Sequence, residues 1–397
     1  MDDVFHSGKF SHGKQVGQLE SALARYTGAR HVIGVNSGTD ALVLLLRACG
    51  LRPGDGVLVP AYSFFATASA VVLAGGQPQF VDIDPETYAM DPAALDAAVT
   101  SRSRFVMPVH LFHTMADMAA LTAVARRQGL TVVEDSAEAI GMRRGGVHAG
   151  LHGVGGVLSF FPSKTLGALG DAGAVLTDDP RVADTVAALR HHGRTGRTLN
   201  NFPAISTESA LPGANSKMDD IQAAVLLAKL AVLEEHIARR AELAAAYTAR
   251  LRDVPGIRRL PLPRTTARRP DDREMRDDRD VYDGEAYGDG ARETYDDGDA
   301  HDDRDVYYVY LIETEHRDAL AAHLDGQGIG TEVYYPLPLP HQPVFGHLGH
   351  RPGEFPHAEK AARHALALPF HPDLDPGDLD RVCDTIGAFL ATTRTTA

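Results

Sequence analysis

Cysteine is scarce: the 397 residues hold only Cys49 and Cys383, far apart and with no partner spacing. That excludes a disulfide framework and a cysteine-based metal centre, and no metal is expected. No run approaches the roughly 18 consecutive apolar residues that span a bilayer. The opening MDDVFHSGKF has no apolar signal stretch, so a cytoplasmic protein without a membrane partner is expected. The strand–GxGxxG–helix fingerprint of a dinucleotide site is also missing, because GLHGVGGV (150–157) lacks that context. A dehydrogenase is thereby excluded.

Positive charge is short as well, and the net charge of -14 argues against nucleic acid as a partner. Its distribution is uneven. Residues 266–305 hold 13 Asp and 3 Glu against 7 Arg, a balance of -9, which leaves -5 for the remainder. This stretch repeats DDR and has few apolar residues, so it reads as an acidic, disordered insert; its Asp clusters lack calcium-loop spacing.

What is present is an alternation of apolar strands and helices. HVIGV (31–35), VLVPA (57–61), QFVDI (79–83), RFVMPVH (104–110) and TVVED (131–135) read as strands, with helices after the first, after the second (from about Phe64) and after the fourth (to Gln128), and a turn-rich connection after the third. GGVLSFF and AGAVLTD add two more. Near-continuous apolar strands of this kind indicate an α/β fold with a largely parallel, mixed sheet between helices. A periodic pattern from Met218 to Leu251 predicts one long helix, kinked or straight, leading into a smaller α/β domain with a strand at 306–312 and a last helix at 379–390. The division expected is 1–235 for a large domain and 236–397 for a small one, interrupted by 266–305.

The chemistry centres on LSFFPSKTLGALGDAGAV (158–175), where Lys164 is surrounded by small and turn-forming residues. A desolvated lysine in such a turn can be a nucleophilic amine; a surface lysine in a flexible turn would look the same. Three further features stand at predicted strand ends. Gly38 and Thr39 open a helix and could present N–H groups to a phosphate, although Ser37 or Thr39 could be an ordinary cap. Asp135 ends a strand and could pair with a protonated ring nitrogen or cap a turn. Ser159 lies five residues before Lys164. Glu134 reads as a cap or surface partner. Together these match a pyridoxal phosphate site: Lys164 for the aldehyde, Asp135 for the ring nitrogen, Gly38, Thr39 and Ser159 for the phosphate, with Phe64 and Ala137 on the two ring faces.

GVNSGTDAL, VEDSAEAIG, SFFPSKTLGALGDAG, GANSKMDDIQAAVLLAKL and YYPLPLPHQPVF resemble the DegT/DnrJ/EryC1/StrS sugar aminotransferases, fold type I enzymes of the aspartate aminotransferase superfamily. The resemblance covers about residues 10–263 and 306–392. It implies Lys164 as the Schiff-base lysine and proton shuttle, Asp135 on the pyridine nitrogen, and Asn215 reaching the phosphate of a neighbouring subunit in a homodimer with a composite site. Glu138 stands beside the cofactor's phenolic oxygen where Gln or His is common. Lys217 replaces a frequent Arg, His113 a usual Gly and Ala367 a usual Ser. The resemblance implies transfer of an amino group from L-glutamate to a nucleoside-diphosphate ketosugar, dTDP-linked in the first instance, for an aminosugar such as those of antibiotics. His191, His192, Arg194, Arg197, Tyr335 and His341 are the candidate substrate contacts. Alternatives are amination of a cyclitol ketone such as scyllo-inosose, a pyridoxamine-dependent dehydratase, and a non-catalytic relative.

Overall fold

The computed structural model describes residues 1–11, 13–195, 209–262 and 303–393. Arg197 and most of the acidic insert, through residue 302, lie outside them.

Two helices, α1 (Asp2–Ser7) and α2 (Gln15–Thr27), precede a regular alternation: β1 (His31–Val35), α3 (Gly38–Ala48), β2 (Gly56–Pro60), α4 (Phe65–Leu73), β3 (Gln77–Val81), α5 (Pro92–Ala98), β4 (Ser103–Val106), α6 (Met118–Gln128) and β5 (Thr131–Asp135). A short hairpin, β6 (Arg143–Arg144) and β7 (Val147–His148), leads to β8 (Gly155–Ser159), β9 (Gly173–Thr177) and α7 (Pro180–Leu189). Asp91, Asp117 and Asp179 cap α5, α6 and α7 by accepting backbone N–H groups.

Seven strands form one mixed sheet in the order β1-β9-β8-β5-β4-β2-β3, antiparallel only where β9 meets β1 and β8. Two apolar cores cover its faces, one around α3, α4 and α7, the other around α2, α6 and α8 (Asp220–Leu230). Because β1, β2, β5 and β8 run the same way, their carboxyl ends open on one edge. Ligands bind at that edge in sheets of this type.

The single helix expected over 218–251 is two. α8 ends at Leu230, Ala231 and Val232 break the ladder, and α9 (Leu233–Leu251) follows. Leu233 and Ile237 belong to the core of the large sheet, while Leu243, Ala244, Tyr247 and Leu251 pack in a third core. That core holds a three-stranded sheet, β10 (Ile257–Arg259), β11 (Tyr310–Thr314) and β12 (Ala365–Leu368), with α10 (Arg317–Gly326) and α12 (Pro376–Thr393); α11 (Pro356–His364) packs on the first core. The proposed division after residue 235 falls on α9.

The expected strand at 306–312 begins only at Tyr310, because the groups before it are engaged elsewhere. Tyr308 N–H donates to the Phe112 carbonyl at 2.8 Å, and Arg240 takes the carbonyls of Tyr307 and Tyr308. The insert also ends earlier than 305. Arg304 pairs with Arg143 as an antiparallel bridge and binds Glu234, Asp303 accepts from Gly145 N–H, and Asp305 pairs with Arg144. Those three residues are folded structure, which alternating charge does not reveal.

Candidate active site

Lys164 lies between the sheet edge and the small domain. Its Nζ is 3.1 Å from Glu138 Oε1 and 4.3 Å from the centre of the Tyr308 ring. Burial pushes the Lys164 ammonium down, but Glu138, Tyr308 and Asp135 more than offset it, and the group is held above the ordinary lysine range. A surface lysine in a mobile turn is thereby excluded.

Glu138 faces Lys164 directly. Its Oε2 accepts from Phe112 N–H at 2.9 Å, and its Oε1 also accepts from Tyr335 O–H at 3.3 Å. Phe112 adopts a left-handed backbone, φ 63°, costly for an aromatic residue. That turn aims its N–H at Glu138, and its ring stacks on Tyr335 at 5.7 Å. Neither residue pattern nor spacing announces such a turn.

Asp135 ends β5 with its carboxylate buried. Oδ2 accepts from Thr67 O–H at 2.8 Å and Oδ1 from Ala137 N–H at 3.2 Å. Burial raises its carboxyl above the ordinary range; Thr67, Ala137 and Lys164 only partly counter it. The Ala137 contact is the turn cap that the sequence also allowed, and the buried carboxylate is still short of positive charge. Thr67 itself, held by Ser63 at 2.9 Å, escapes sequence reasoning, although it sits one turn after Phe64.

Glu134 is not a surface partner. Strand alternation sends it to the opposite face, fully buried, where it binds His110 Nε2 at 2.8 Å and accepts from the N–H groups of Gly150, His152 and Gly153.

The phosphate candidates converge. A Cβ at Gly38 would lie 2.8 Å from Ser159 Cβ, and one at Gly173 would lie 2.6 Å from the Ser37 carbonyl carbon. Glycine at both positions brings the α3 N-terminus, with Gly38 and Thr39, against Ser159 at the end of β8. Ser37 caps that helix by accepting from Asp40 N–H at 3.1 Å, so Gly38 and Thr39 do not have to. This cradle, together with an underpaired buried carboxylate and a buried lysine, fits pyridoxal phosphate. Phe64 has 60% of its surface exposed and lies 6.5 Å from Tyr335 between ring centres; it is not a core aromatic.

The substrate candidates separate. Tyr335 is at the site through Glu138. His191, His192 and Arg194 stand together near Asn215: His191 bridges Asn215 by backbone pairing, and its Nε2 is 3.2 Å from Arg194. Lys217 binds the exposed Asn215 side chain, and Asn36 N–H donates to the Ser216 carbonyl two residues before Gly38. His341 is engaged elsewhere, 3.3 Å from Glu359 of α11, because the Pro-rich loop turns it toward that helix.

The DegT/DnrJ/EryC1/StrS aminotransferase family matches residues 1–272 and 289–387. The chain is 39% identical to the pleiotropic regulatory protein of Geobacillus stearothermophilus, over 98% of this chain and 93% of that protein. It is 36% identical to the dTDP-3-amino-3,4,6-trideoxy-α-D-glucose transaminase of Streptomyces venezuelae (96% and 89%). It is 34% identical to the UDP-2-acetamido-2-deoxy-3-oxo-D-glucuronate aminotransferase of Pseudomonas aeruginosa (96% and 92%). The crystal structure of S. venezuelae DesV in complex with a ketimine intermediate superposes with a TM-score of 0.83 at 34% identity, over 98% of this chain and 92% of that one. A buried lysine facing a carboxylate, a glycine-lined cradle and these likenesses along the whole chain agree: the chain belongs to the DegT/DnrJ/EryC1/StrS aminotransferase family and is a pyridoxal-phosphate-dependent sugar aminotransferase.

Proposed function

We propose that the protein moves an amino group from L-glutamate to carbon 3 of a dTDP-linked 3-keto-deoxysugar, acting as a homodimer. The observation that carries the catalytic part is the Lys164–Glu138 pair beside Asp135. Carbon 3 is supported by the two sugar-enzyme relatives, whose names specify a 3-amino and a 3-oxo sugar. The dTDP carrier follows the S. venezuelae relative, and a UDP sugar is the competing carrier.

Lys164 would hold the cofactor's aldehyde, Asp135 its ring nitrogen, Gly38, Thr39 and Ser159 its phosphate, and Phe64 and Ala137 its two faces. Bound there, pyridoxal phosphate supplies the electron sink that makes a Cα proton of the donor acidic. The chain supplies the rest. Asp135 is buried where a cation is favoured, so it keeps a bound nitrogen protonated. Lys164 Nζ is the proton carrier: Glu138 stabilises it as ammonium, and the Tyr308 ring face holds it in place. Tyr335 and Phe112 fix Glu138 from the far side, which keeps that carboxylate from following Nζ as the proton leaves. His191, His192, Arg194 and Arg197 are the proposed diphosphate contacts, and Asn215 is proposed to cross to the neighbouring subunit's phosphate cradle.

The test is a spectrum of the holoenzyme. L-Glutamate converts the visible band of the bound cofactor to the pyridoxamine form, and a dTDP-3-ketosugar restores it. Restoration only by a UDP sugar changes the carrier, and restoration only by scyllo-inosose changes the substrate class. A band unaltered in Lys164→Ala overturns the assignment of that lysine.

A further inference from the structure

Behind Glu138 the chain makes a three-residue turn. His113 N–H donates to the Leu111 carbonyl at 2.8 Å, with Phe112 at the centre and its φ at 63°. A γ-turn of this hand is the rare, strained form, and it persists only where its surroundings hold it. The N–H that it turns inward, that of Phe112, is the one Glu138 Oε2 accepts at 2.9 Å.

One segment holds the turn from outside. Residues 305–308 meet 112–114 in reverse order. Tyr308 N–H donates to the Phe112 carbonyl at 2.8 Å, the Tyr307 ring stacks on His113 with centres 5.4 Å and planes 13° apart, and Asp305 accepts from Thr114 O–H at 3.3 Å. The first of these ties is made by backbone, and Asp305 is shared with Arg144. The stack is the tie that the side chain at 113 supplies. Tyr308, next to the stacked Tyr307, is also the residue whose ring faces Lys164.

What the His113 ring contributes follows from what it leaves unused. It is 3% exposed, and its Nδ1 has no hydrogen-bond partner. Burial and Arg259, with Arg144 behind them, push the imidazole down to about 4 against Asp305 and a backbone hydrogen bond to Leu262. The ring is therefore uncharged at neutral pH. With neither charge nor Nδ1 in use, its flat face on Tyr307 is the main contribution.

We infer that His113 is a positioning residue of the active site: its N–H closes the turn, its ring anchors the turn to Tyr307, and the turn keeps the Glu138 carboxylate facing Lys164. Without the ring the strained turn relaxes and Phe112 N–H swings off Glu138. That carboxylate then keeps only Tyr335 O–H on its far side. The positioning rests on these contacts alone, and its consequence for the rate rests on the reading of Lys164 as proton carrier.

Competitive labelling of the full chain, freed of cofactor, with acetic anhydride over a pH series gives the titration of Lys164, read from its peptide by mass spectrometry. Glu138, Tyr308 and Asp135 all hold that ammonium up, so a Glu138 that turns away lets its titration fall. The expected fall in His113→Ala is about one pH unit, with the wild-type titration restored in His113→Phe. In the holoenzyme the single-turnover rate with L-glutamate should drop about tenfold in His113→Ala and recover in His113→Phe, a pattern that lost stability alone does not give. A folded His113→Ala whose Lys164 titrates as in wild type overturns the inference, and so does a His113→Phe no better than His113→Ala. If His113→Ala does not fold, Tyr307→Leu removes the stack from the other side, and an unchanged Lys164 titration there is equally fatal. A lowered Lys164 titration with an undiminished rate leaves His113 as a positioning residue and removes Lys164 as the proton carrier.

Discussion

Glu134 and Asp135 are adjacent on β5, both carboxylates, both buried, and they do opposite work. Glu134 has four donors, three backbone N–H groups and His110, and these outweigh the burial that would push its carboxyl up, so it is held below the ordinary range. Asp135 has two protein donors, and burial prevails. The number of donors, not the residue type or its depth, separates a carboxylate that braces a loop from one that waits for a cationic partner. One face of the strand is structurally complete; the other keeps a carboxylate short of donors, which the proposed function assigns to the cofactor.

The largest break in that comparison is Asp135→Asn. Activity should fall by about 10³-fold, the scale of losing one preorganised electrostatic partner. Stability without cofactor should hold or rise, since an underpaired buried charge is removed, and thermal unfolding beside single-turnover rates checks both. Glu134→Ala should do the reverse. Orphaning His110 and three N–H groups costs about 3–5 kcal/mol, read from denaturant midpoints, while the rate per folded molecule changes little.

The dependence on pH sharpens the contrast. The depressed Glu134 carboxyl contributes stability that is present above the ordinary Glu value of 4.5 and lost as pH falls through its folded value. The raised Asp135 carboxyl has the opposite sign: its protonated form is favoured in the folded chain, so its contribution is lost as pH rises from the ordinary 3.8 through its folded value. His148 adds to the acid side. Its Nε2 accepts from Gly141 N–H at 2.8 Å, its Nδ1 is 2.6 Å from the Ala149 carbonyl, and burial pushes it down from 6.5 to about 3. Its stabilisation is complete above pH 6.5 and should be lost at about 1.4 kcal/mol per pH unit below it, a slope that His148→Gln should remove from a pH series of unfolding midpoints.

Thr67→Val is the smallest and most specific change. It deletes one of the two Asp135 donors at nearly constant shape, costing about 1 kcal/mol. Catalysis should fall about tenfold if the hydroxyl orients the carboxylate; an unchanged rate would leave Thr67 as packing only.

Much of the site was legible before folding because its parts are local. Lys164, Ser159, Gly38 and Asp135 each stand at the end of an apolar strand, and parallel strands deliver their carboxyl ends to one edge. Partners remote in sequence were not legible: Phe112 presents its N–H to Glu138 through a strained turn, and Tyr308 interrupts its expected strand to meet Lys164. The partner of His341 was not legible for the same reason, since Glu359 reaches it only through the packing of α11.

The sequence by itself determined the class of fold and the cofactor and singled out the lysine proposed to react, because strand periodicity and turn chemistry act over a few residues and survive as readable motifs. Only the tertiary structure decided which of two adjacent carboxylates is left short of donors and that Glu138 faces Lys164. Hydrogen-bond completeness is a property of surroundings assembled from distant segments, and no single stretch of chain records it.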